Sequence, residues 1–153
     1  MSKIKVSGHA FEKIICELIK RNNKLTITQT RATGDGGIDF FCTTIGNILA
    51  GEIKTGATVG TPNIRNFIGS MSTYKINHGL FITTNTISKD ASQLIKSLGS
   101  EFAFLAVRVS STKIPKALTL SETVLSAEMN KSNSSILRFD RSTKSIFFND
   151  QIL

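Results

Sequence analysis

Two acidic residues and a lysine come close together in this chain, on segments with the character of neighbouring strands: Asp39, Glu52 and Lys54. Asp39 ends the segment Gly34-Asp35-Gly36-Gly37-Ile38-Asp39, and Glu52 follows it by thirteen positions. Carboxylates are preferred ligands of hard divalent cations. A bound cation and a lysine stabilise the charge that a phosphodiester gains in its transition state. The three residues therefore predict nuclease chemistry.

The geometry of a β-hairpin predicts that these three side chains share one face. A two-residue turn at Gly46-Asn47 places Asp39 opposite Lys54 and diagonal to Glu52, with about 7–8 Å between the backbones of the diagonal pair. Because side chains alternate between the two faces of a strand, all three then project together. A three-residue turn or a one-residue slip would send Asp39 to the other face, so the prediction depends on register.

Glu12 is a fourth candidate for the active site, and all four residues also have non-catalytic explanations. With 3.6 residues per turn, Glu12 lies about 20° from Ile19 around the first helix, at the edge of its apolar stripe. It could point at the site or be a solvated glutamate. The other three could be a weak cross-strand ion pair with one further glutamate. The apolar residues Phe40, Leu49 and Ile53 on the other face of the hairpin argue against this, because charges on a buried strand pair need a reason.

The elements that must position these residues follow from periodicity and from turn and capping signals. They are a helix over 7–21 with Ser7 as its N-cap, strands over 25–31, 38–44 and 48–54, a helix opened by Thr61-Pro62, a strand over 79–83, a helix capped by Ser88 and stopped by Gly99, and a strand over 102–109. This order indicates an α/β fold, with one mixed central sheet flanked by helices. We expect residues 1–109 to form the core and residues 110–153 a C-terminal extension packed on the same domain, with a short helix over 121–129, a polar connector over 130–135, and a hairpin of 136–139 with 145–148.

Composition favours a soluble protein with a polyanionic partner. The formal net charge of +8 and pI near 9.8 fit nucleic acid, although a generic basic surface is the alternative. No apolar run is long enough to cross a bilayer, and the N-terminus lacks the apolar core of a signal peptide. Cys16 and Cys42 lack metal-ligand spacing and are expected to be reduced core residues of a cytoplasmic protein.

The chain resembles the Mrr-like restriction endonucleases of the PD-(D/E)xK nuclease superfamily over residues 8–108. The motifs that carry the resemblance are Phe11-Glu12, the segments 34–39, 52–54, 59–69 and 79–84, and the helix around Ala91. The resemblance implies a restriction-endonuclease-like αβββαβ core and Mg²⁺-dependent cleavage of double-stranded DNA, with Mn²⁺ expected to substitute for Mg²⁺.

The resemblance also implies roles for individual residues. Asp39, Glu52 and the carbonyl of Ile53 would bind the metal, with Glu12 joining through water or at a second site. Lys54 would position the attacking water or stabilise the transition-state charge, and Asp35 would be a loop or supporting residue. Independently of the resemblance, Thr61 and Arg65 in the first turn of their helix could hold a flanking phosphate, because helix N-termini attract anions. The equally weighted alternative for Arg65 is a surface arginine.

Two residues depart from the family's pattern. Ile38 stands where the superfamily's eponymous proline would be, as is usual in this branch. Glu52 stands where many members have glutamine, so we expect a more acidic metal site.

Oligomeric state, target type and the tail are the most open points. Double-strand cleavage needs two active sites, so a homodimer is expected. A structure-specific nuclease of the junction-resolvase type, or a DNA-binding module that has lost cleavage, are the competing functions. Residues 108–144 carry a net charge of +4, from seven basic and three acidic residues. In this segment the apolar pair of Phe139 and Ile146 could cover a sheet edge or contact a second subunit, while the basic tip around Arg141 reaches DNA. The alternative is that the segment only completes the core of one subunit.

Overall fold

The computed structural model of the chain describes residues 8–22, 24–30, 37–110, 120–130 and 136–153. The predicted N-cap Ser7, the loop residue Asp35 and most of the predicted connector, residues 131–135, lie outside them. The elements are α1 (Gly8–Lys20), β1 (Thr26–Gln29), β2 (Phe40–Thr44), β3 (Asn47–Lys54), α2 (Thr61–Thr73), β4 (His78–Thr83), α3 (Lys89–Ser97), β5 (Ala103–Val109), α4 (Leu120–Thr123), β6 (Val124–Met129), β7 (Leu137–Asp140), β8 (Ser145–Phe148) and β9 (Gln151–Ile152).

A six-stranded mixed sheet in the order β1-β2-β3-β4-β5-β6 organises the described part of the chain. The strands β1, β2 and β3 pair antiparallel, β3, β4 and β5 pair parallel, and β6 returns antiparallel to β5. The helices α2 and α3 connect the parallel strands, which require crossover connections. The predicted αβββαβ core, a mixed sheet flanked by helices, is confirmed.

Each face of the sheet is covered by its own apolar cluster. On one face, which we call the α1 side, α1, α4 and the small sheet β7-β8-β9 bury residues such as Phe11, Leu49 and Phe148. On the other face, the α2 side, α2 and α3 bury residues such as Ile64, Phe81 and Ile95. Cys16 and Cys42 are both buried, unpaired thiols on the α1 side, as predicted. No helix in the described residues has the length and apolar character needed to span a membrane.

The predicted helix over 121–129 is wrong, because this segment is mostly a strand. Only Leu120–Thr123 is helical, and Val124–Met129 forms β6. Residues such as Ala127, Glu128 and Met129 are good helix formers locally. Pairing with the open edge of β5 overrides that preference, since strand formation depends mainly on the neighbours that a segment meets.

The predicted C-terminal hairpin is confirmed, with a third short strand added to it. Phe139 lies opposite Ile146, as expected for an antiparallel β7–β8 pair. Ile146 and Phe148 are completely buried in the α1-side cluster of the same chain. The apolar side of the hairpin is therefore occupied within one subunit, which supports the core-completing alternative for the tail.

The β2–β3 turn lies one position earlier than predicted. Thr44 is opposite Asn47, so the turn residues are Ile45 and Gly46. Gly46 has a φ of +81°, the value found at the third residue of a type II turn, where glycine is favoured. The strand register consequently differs from the predicted one by two residues. A shift by an even number keeps every side chain on its predicted face.

The helix caps agree with the sequence signals for α3 and differ slightly for α2. The Ser88 hydroxyl accepts a hydrogen bond from the Ala91 N–H at 3.1 Å, as predicted for an N-cap. The N-cap of α2 is Gly60 instead of Thr61, and the Asn63 side chain accepts from the Gly60 N–H at 2.9 Å. An asparagine reaching back to the cap amide replaces the predicted threonine cap.

Gly51 allows the strand that carries the candidate site to pack beneath Phe40, which is completely buried. A Cβ atom at position 51 would overlap the Phe40 ring. We expect Gly51→Ala to lower the free energy of unfolding by about 1–3 kcal/mol, as overpacked cores do. Urea denaturation measures this. The control is Gly69→Ala in the exposed part of α2, where a Cβ meets nothing within 4 Å and should raise stability by up to about 1 kcal/mol. Equal effects of the two substitutions would contradict the packing argument.

Candidate active site

The last residues of β3 bring Glu52 and Lys54 to one face of the sheet. Ala50 belongs to the α2-side cluster, while Leu49 and Ile53 pack on the α1 side. By the two-residue period of a strand, Glu52 and Lys54 project on the same side as Ala50, towards α2. Both side chains are half-buried.

Asp39 reaches the same end of β3 by a route that regular pairing did not predict. The predicted partnership of Asp39 with Lys54 is wrong. The Asp39 N–H donates to the Gly51 carbonyl at 2.8 Å, and Gly51 is also the residue opposite Phe40. Two consecutive residues thus face one residue of β3, the arrangement of a β-bulge, which re-aims a side chain.

The side chain of Asp39 is held by the backbone of β3. Its Oδ2 atom accepts a hydrogen bond from the Ile53 N–H at 2.7 Å. On the other side, the Asp39 carbonyl accepts from the Thr30 N–H at 2.8 Å. The carboxylate is therefore fixed next to the residue that separates Glu52 from Lys54.

Glu52 lies beneath the loop that leads into β2. A Cβ atom at Gly37 would sit 3.6 Å from both Glu52 Oε1 and Ser70 Oγ, and the Gly37 φ of +69° favours glycine. Ser70 itself donates its hydroxyl hydrogen to the Asn66 carbonyl at 3.0 Å. The Oε2 atom of Glu52 is buried without a hydrogen-bond partner. A buried carboxylate oxygen in this state needs a proton or a cation.

The electrostatics of the site follow from burial and from like charges. Burial, and secondarily the Asp39 charge, raises the pKa of Glu52 from 4.5 to about 8, although Lys54 opposes the rise. Burial also raises the pKa of Asp39, with the Glu12 charge adding to it and the Ile53 hydrogen bond opposing it. Two neighbouring carboxyl groups thus resist ionising together, a condition that a divalent cation relieves.

Glu12 lies at the periphery of this pair. It is half-buried on α1, whose first residue Gly8 lies against Thr55 just after β3. Its Oε1 atom accepts from the Gln29 amide at 3.4 Å, and its charge reaches Asp39. Across the described ranges no three His, Cys, Asp or Glu side chains form a metal-binding group. Glu12 is near Asp39 electrostatically but does not complete such a group.

The oxygen donors present fit a magnesium-type ion. Mg²⁺ is usually bound through one or two carboxylates, with waters and substrate phosphates filling the other positions. Asp39 and Glu52 supply two carboxylates, and the orphaned Glu52 oxygen is an available ligand atom. A closed, all-protein cage is not required of such a site.

The residues predicted to contact DNA lie in different parts of the structure. Thr61 is the first residue of α2. Arg65 is exposed at the start of the second turn, because the helix begins one residue earlier than predicted. Arg141 is exposed at the β7–β8 turn. Its sheet packs on the α1 side, whereas Glu52 and Lys54 project on the α2 side.

Several neighbours of the site were not identified from the sequence. Gln29 contacts Glu12, and Ser70 lies beside Glu52 across the space left by Gly37. Thr83, completely buried, lies directly opposite Lys54 on β4. The sequence shows that Thr83 ends a buried strand. That it lies opposite Lys54 follows only from the order of the strands in the sheet.

Comparison with known proteins identifies the family. A family model described as Restriction endonuclease, the Mrr catalytic domain, matches residues 4–104. The match spans Glu12, Asp39, Glu52 and Lys54. No curated protein matches the chain, and no solved structure does.

The raised pKa of Glu52 predicts a pH-dependent stability for the metal-free protein. Between pH 4.5 and about 8 the folded chain keeps a proton that the unfolded chain releases. The free energy of unfolding should therefore fall as pH rises through this interval, by up to about 1.4 kcal/mol per pH unit. The raised pKa of Asp39 acts in the same sense from pH 3.8 upward. Urea denaturation in EDTA between pH 5 and pH 8 measures the slope.

Glu52→Gln should flatten this dependence, because glutamine does not titrate. Glu17→Gln, on the exposed face of α1, should leave it unchanged. A slope in Glu52→Gln as steep as in the wild type would show that Glu52 ionises as freely as a surface carboxylate.

Proposed function

This chain belongs to the Mrr-type restriction endonuclease family, and we propose that it is a metal-dependent endonuclease that hydrolyses phosphodiester bonds in double-stranded DNA. The observation that carries the proposal is the pair of half-buried carboxylates at the end of β3, with an orphaned Glu52 oxygen and Lys54 beside it. Family membership supports a nuclease, and the geometry supports the residues that would perform the reaction.

Asp39, Glu52 and the Ile53 carbonyl would hold the metal, with Glu12 contributing through water. Mg²⁺ fits these oxygen donors best, and Mn²⁺, which shares the preference for carboxylate and water ligands, should substitute for it. When bound, the ion supplies Lewis-acid chemistry, polarising the scissile phosphate and making water a better nucleophile. The Ile53 N–H fixes the Asp39 carboxylate for this role through a 2.7 Å hydrogen bond.

Lys54 would act on the phosphate itself. None of the ion pairs among the described residues includes it, so its ammonium group is not committed to a protein carboxylate. It projects on the same side as Glu52, two residues along β3. A positive charge there stabilises the charge that develops on the phosphoryl oxygens and orients the attacking water.

The basic surface would hold the rest of the DNA. The formal net charge of +8 favours a polyanion. Thr61 at the start of α2, where helix N-termini attract anions, and the exposed Arg65 in the next turn would contact a phosphate flanking the scissile one. Cleavage of both strands would require two copies of the site, so we propose that the active species is a homodimer.

The test is cleavage of plasmid DNA with Mg²⁺, Mn²⁺ or EDTA. Wild-type protein should cleave with either metal and stop in EDTA. Asp39→Ala and Lys54→Ala should each lose at least about 100-fold in rate, since removing one electrostatic contributor typically costs about 10²–10³ in kcat. The far-ultraviolet circular dichroism spectrum should change little in either variant. Both should still bind duplex, with Lys54→Ala weakened by about the loss of one phosphate contact.

Lys24→Ala is the matched control. Lys24 is exposed beside the start of β1, which pairs with the turn end of β2, away from Asp39. The Lys24→Ala substitution removes the same charge as Lys54→Ala, and the variant should cleave DNA at the wild-type rate. If linear plasmid forms as an early product, two sites cut together. Comparing the cleavage rates of methylated and unmethylated plasmid tests whether the reaction depends on base modification. Undiminished cleavage by both Asp39→Ala and Lys54→Ala would overturn the assignment.

A further inference from the structure

A row of three side chains extends sideways from the candidate site across the ends of the parallel strands. Lys54 of β3 is opposite Thr83 of β4, and Thr83 is opposite Arg108 of β5. Directly paired residues of neighbouring strands project to the same face. Arg108 therefore stands on the α2 side with Lys54 and Thr83, its backbone about 10 Å from that of Lys54 at two strand spacings of 4.7–4.9 Å.

Arg108 has no acidic partner among the described residues. Its side chain is half-buried, and its Nε atom is buried without a hydrogen-bond partner. None of the three ion pairs formed among the described residues involves it. The acidic residue nearest to it along β6 on this face is Glu128, opposite Ala106, and that carboxylate is already paired with Lys96 at 3.4 Å. A guanidinium is permanently charged, so a buried donor left in this state calls for an external acceptor.

Thr83, between the two cations, is uncharged and completely buried. Its hydroxyl oxygen accepts a hydrogen bond from the Asn85 N–H at 3.0 Å. The row therefore presents two cations, with no carboxylate between Lys54 and Arg108.

We propose that Arg108 binds a backbone phosphate next to the one that Lys54 contacts. This rests on the proposed function, because it extends the DNA surface of the same site along the sheet. The planar guanidinium suits the role, since it binds two phosphate oxygens at once. Such a contact would fix the register of the DNA strand across the ends of β3, β4 and β5 without reading its sequence.

A purely structural role is the competing explanation. Arg108 lies where the β5–β6 register shifts, and its aliphatic stem could simply fill space at that irregularity. In that case its replacement would lower stability and leave the salt dependence of DNA binding unchanged. The two roles therefore differ in a measurable way.

The experiment measures binding of the 153-residue chain to duplex DNA by fluorescence anisotropy, in EDTA and over a series of salt concentrations. Arg108→Gln should weaken binding about 5-fold or more at low salt and make the slope of log K against log[salt] shallower by about 0.9, the loss of one phosphate contact. Arg108→Lys should keep the slope but bind more weakly than wild type, because lysine retains the charge and lacks the planar guanidinium that binds two phosphate oxygens.

Arg138→Gln is the control for loss of one arginine charge. Arg138 stacks on the Phe147 ring at 4.0 Å and pairs with Asp150 on the small sheet. The salt dependence of duplex binding by Arg138→Gln should therefore equal that of the wild type. Melting temperatures of all variants are measured in parallel, and Arg108→Lys carries the test if Arg108→Gln does not fold. Arg108 variants with wild-type affinity and slope would overturn the inference while leaving the nuclease proposal intact. Failure of wild-type protein to bind duplex would overturn both.

Discussion

The burial of two carboxyl groups at the end of one strand is the constraint on which the rest of the site depends. Asp39 and Glu52 are both half-buried, and both have raised pKa values, that of Glu52 reaching about 8. Among the described residues, the Ile53 hydrogen bond to Asp39 and the Lys54 charge near Glu52 offset part of this cost. A fold that keeps such an arrangement spends stability on it, which is typical of functional sites. A divalent cation would turn the unfavourable pair into a ligand set.

The mixed sheet determines where that pair can act. The antiparallel β2–β3 hairpin supplies the carboxylates, and the parallel strands β4 and β5 continue the same edge with Thr83 and Arg108. Acidic and basic groups are thereby separated along one edge of the sheet. The acidic end suits a cation and the basic end suits phosphate. A DNA backbone lying along the row would meet both.

Much of this arrangement could be predicted from local sequence patterns. Strand alternation correctly placed Glu52 and Lys54 on one face, and helical periodicity placed Glu12 at the edge of the α1 stripe. The confirmed αβββαβ core follows from strong periodic segments and clear caps such as Ser88. These features depend on interactions within about one turn or one strand, which the sequence displays directly.

The features that could not be predicted depend on partners distant in the chain. The bulge at Asp39 replaces regular pairing with a side-chain bond to Ile53, which no spacing rule describes. Residues 124–129 form a strand because the edge of β5 is open to them. The alignment of Lys54 with Arg108 exists only once the strand order is known. In each case tertiary pairing outweighed local preference.

The most direct test is a calorimetric titration of Mn²⁺ into metal-free protein at constant pH, using wild type, Asp39→Asn, Glu52→Gln and the surface control Glu17→Gln. We expect a saturable site in the wild type and in Glu17→Gln. The affinity should fall about 10-fold or more in each of the other two variants, since losing one ligand of a charged oxygen site costs at least about 1.4 kcal/mol. Wild-type affinity in Asp39→Asn and Glu52→Gln would contradict the claim that these carboxylates form the metal site.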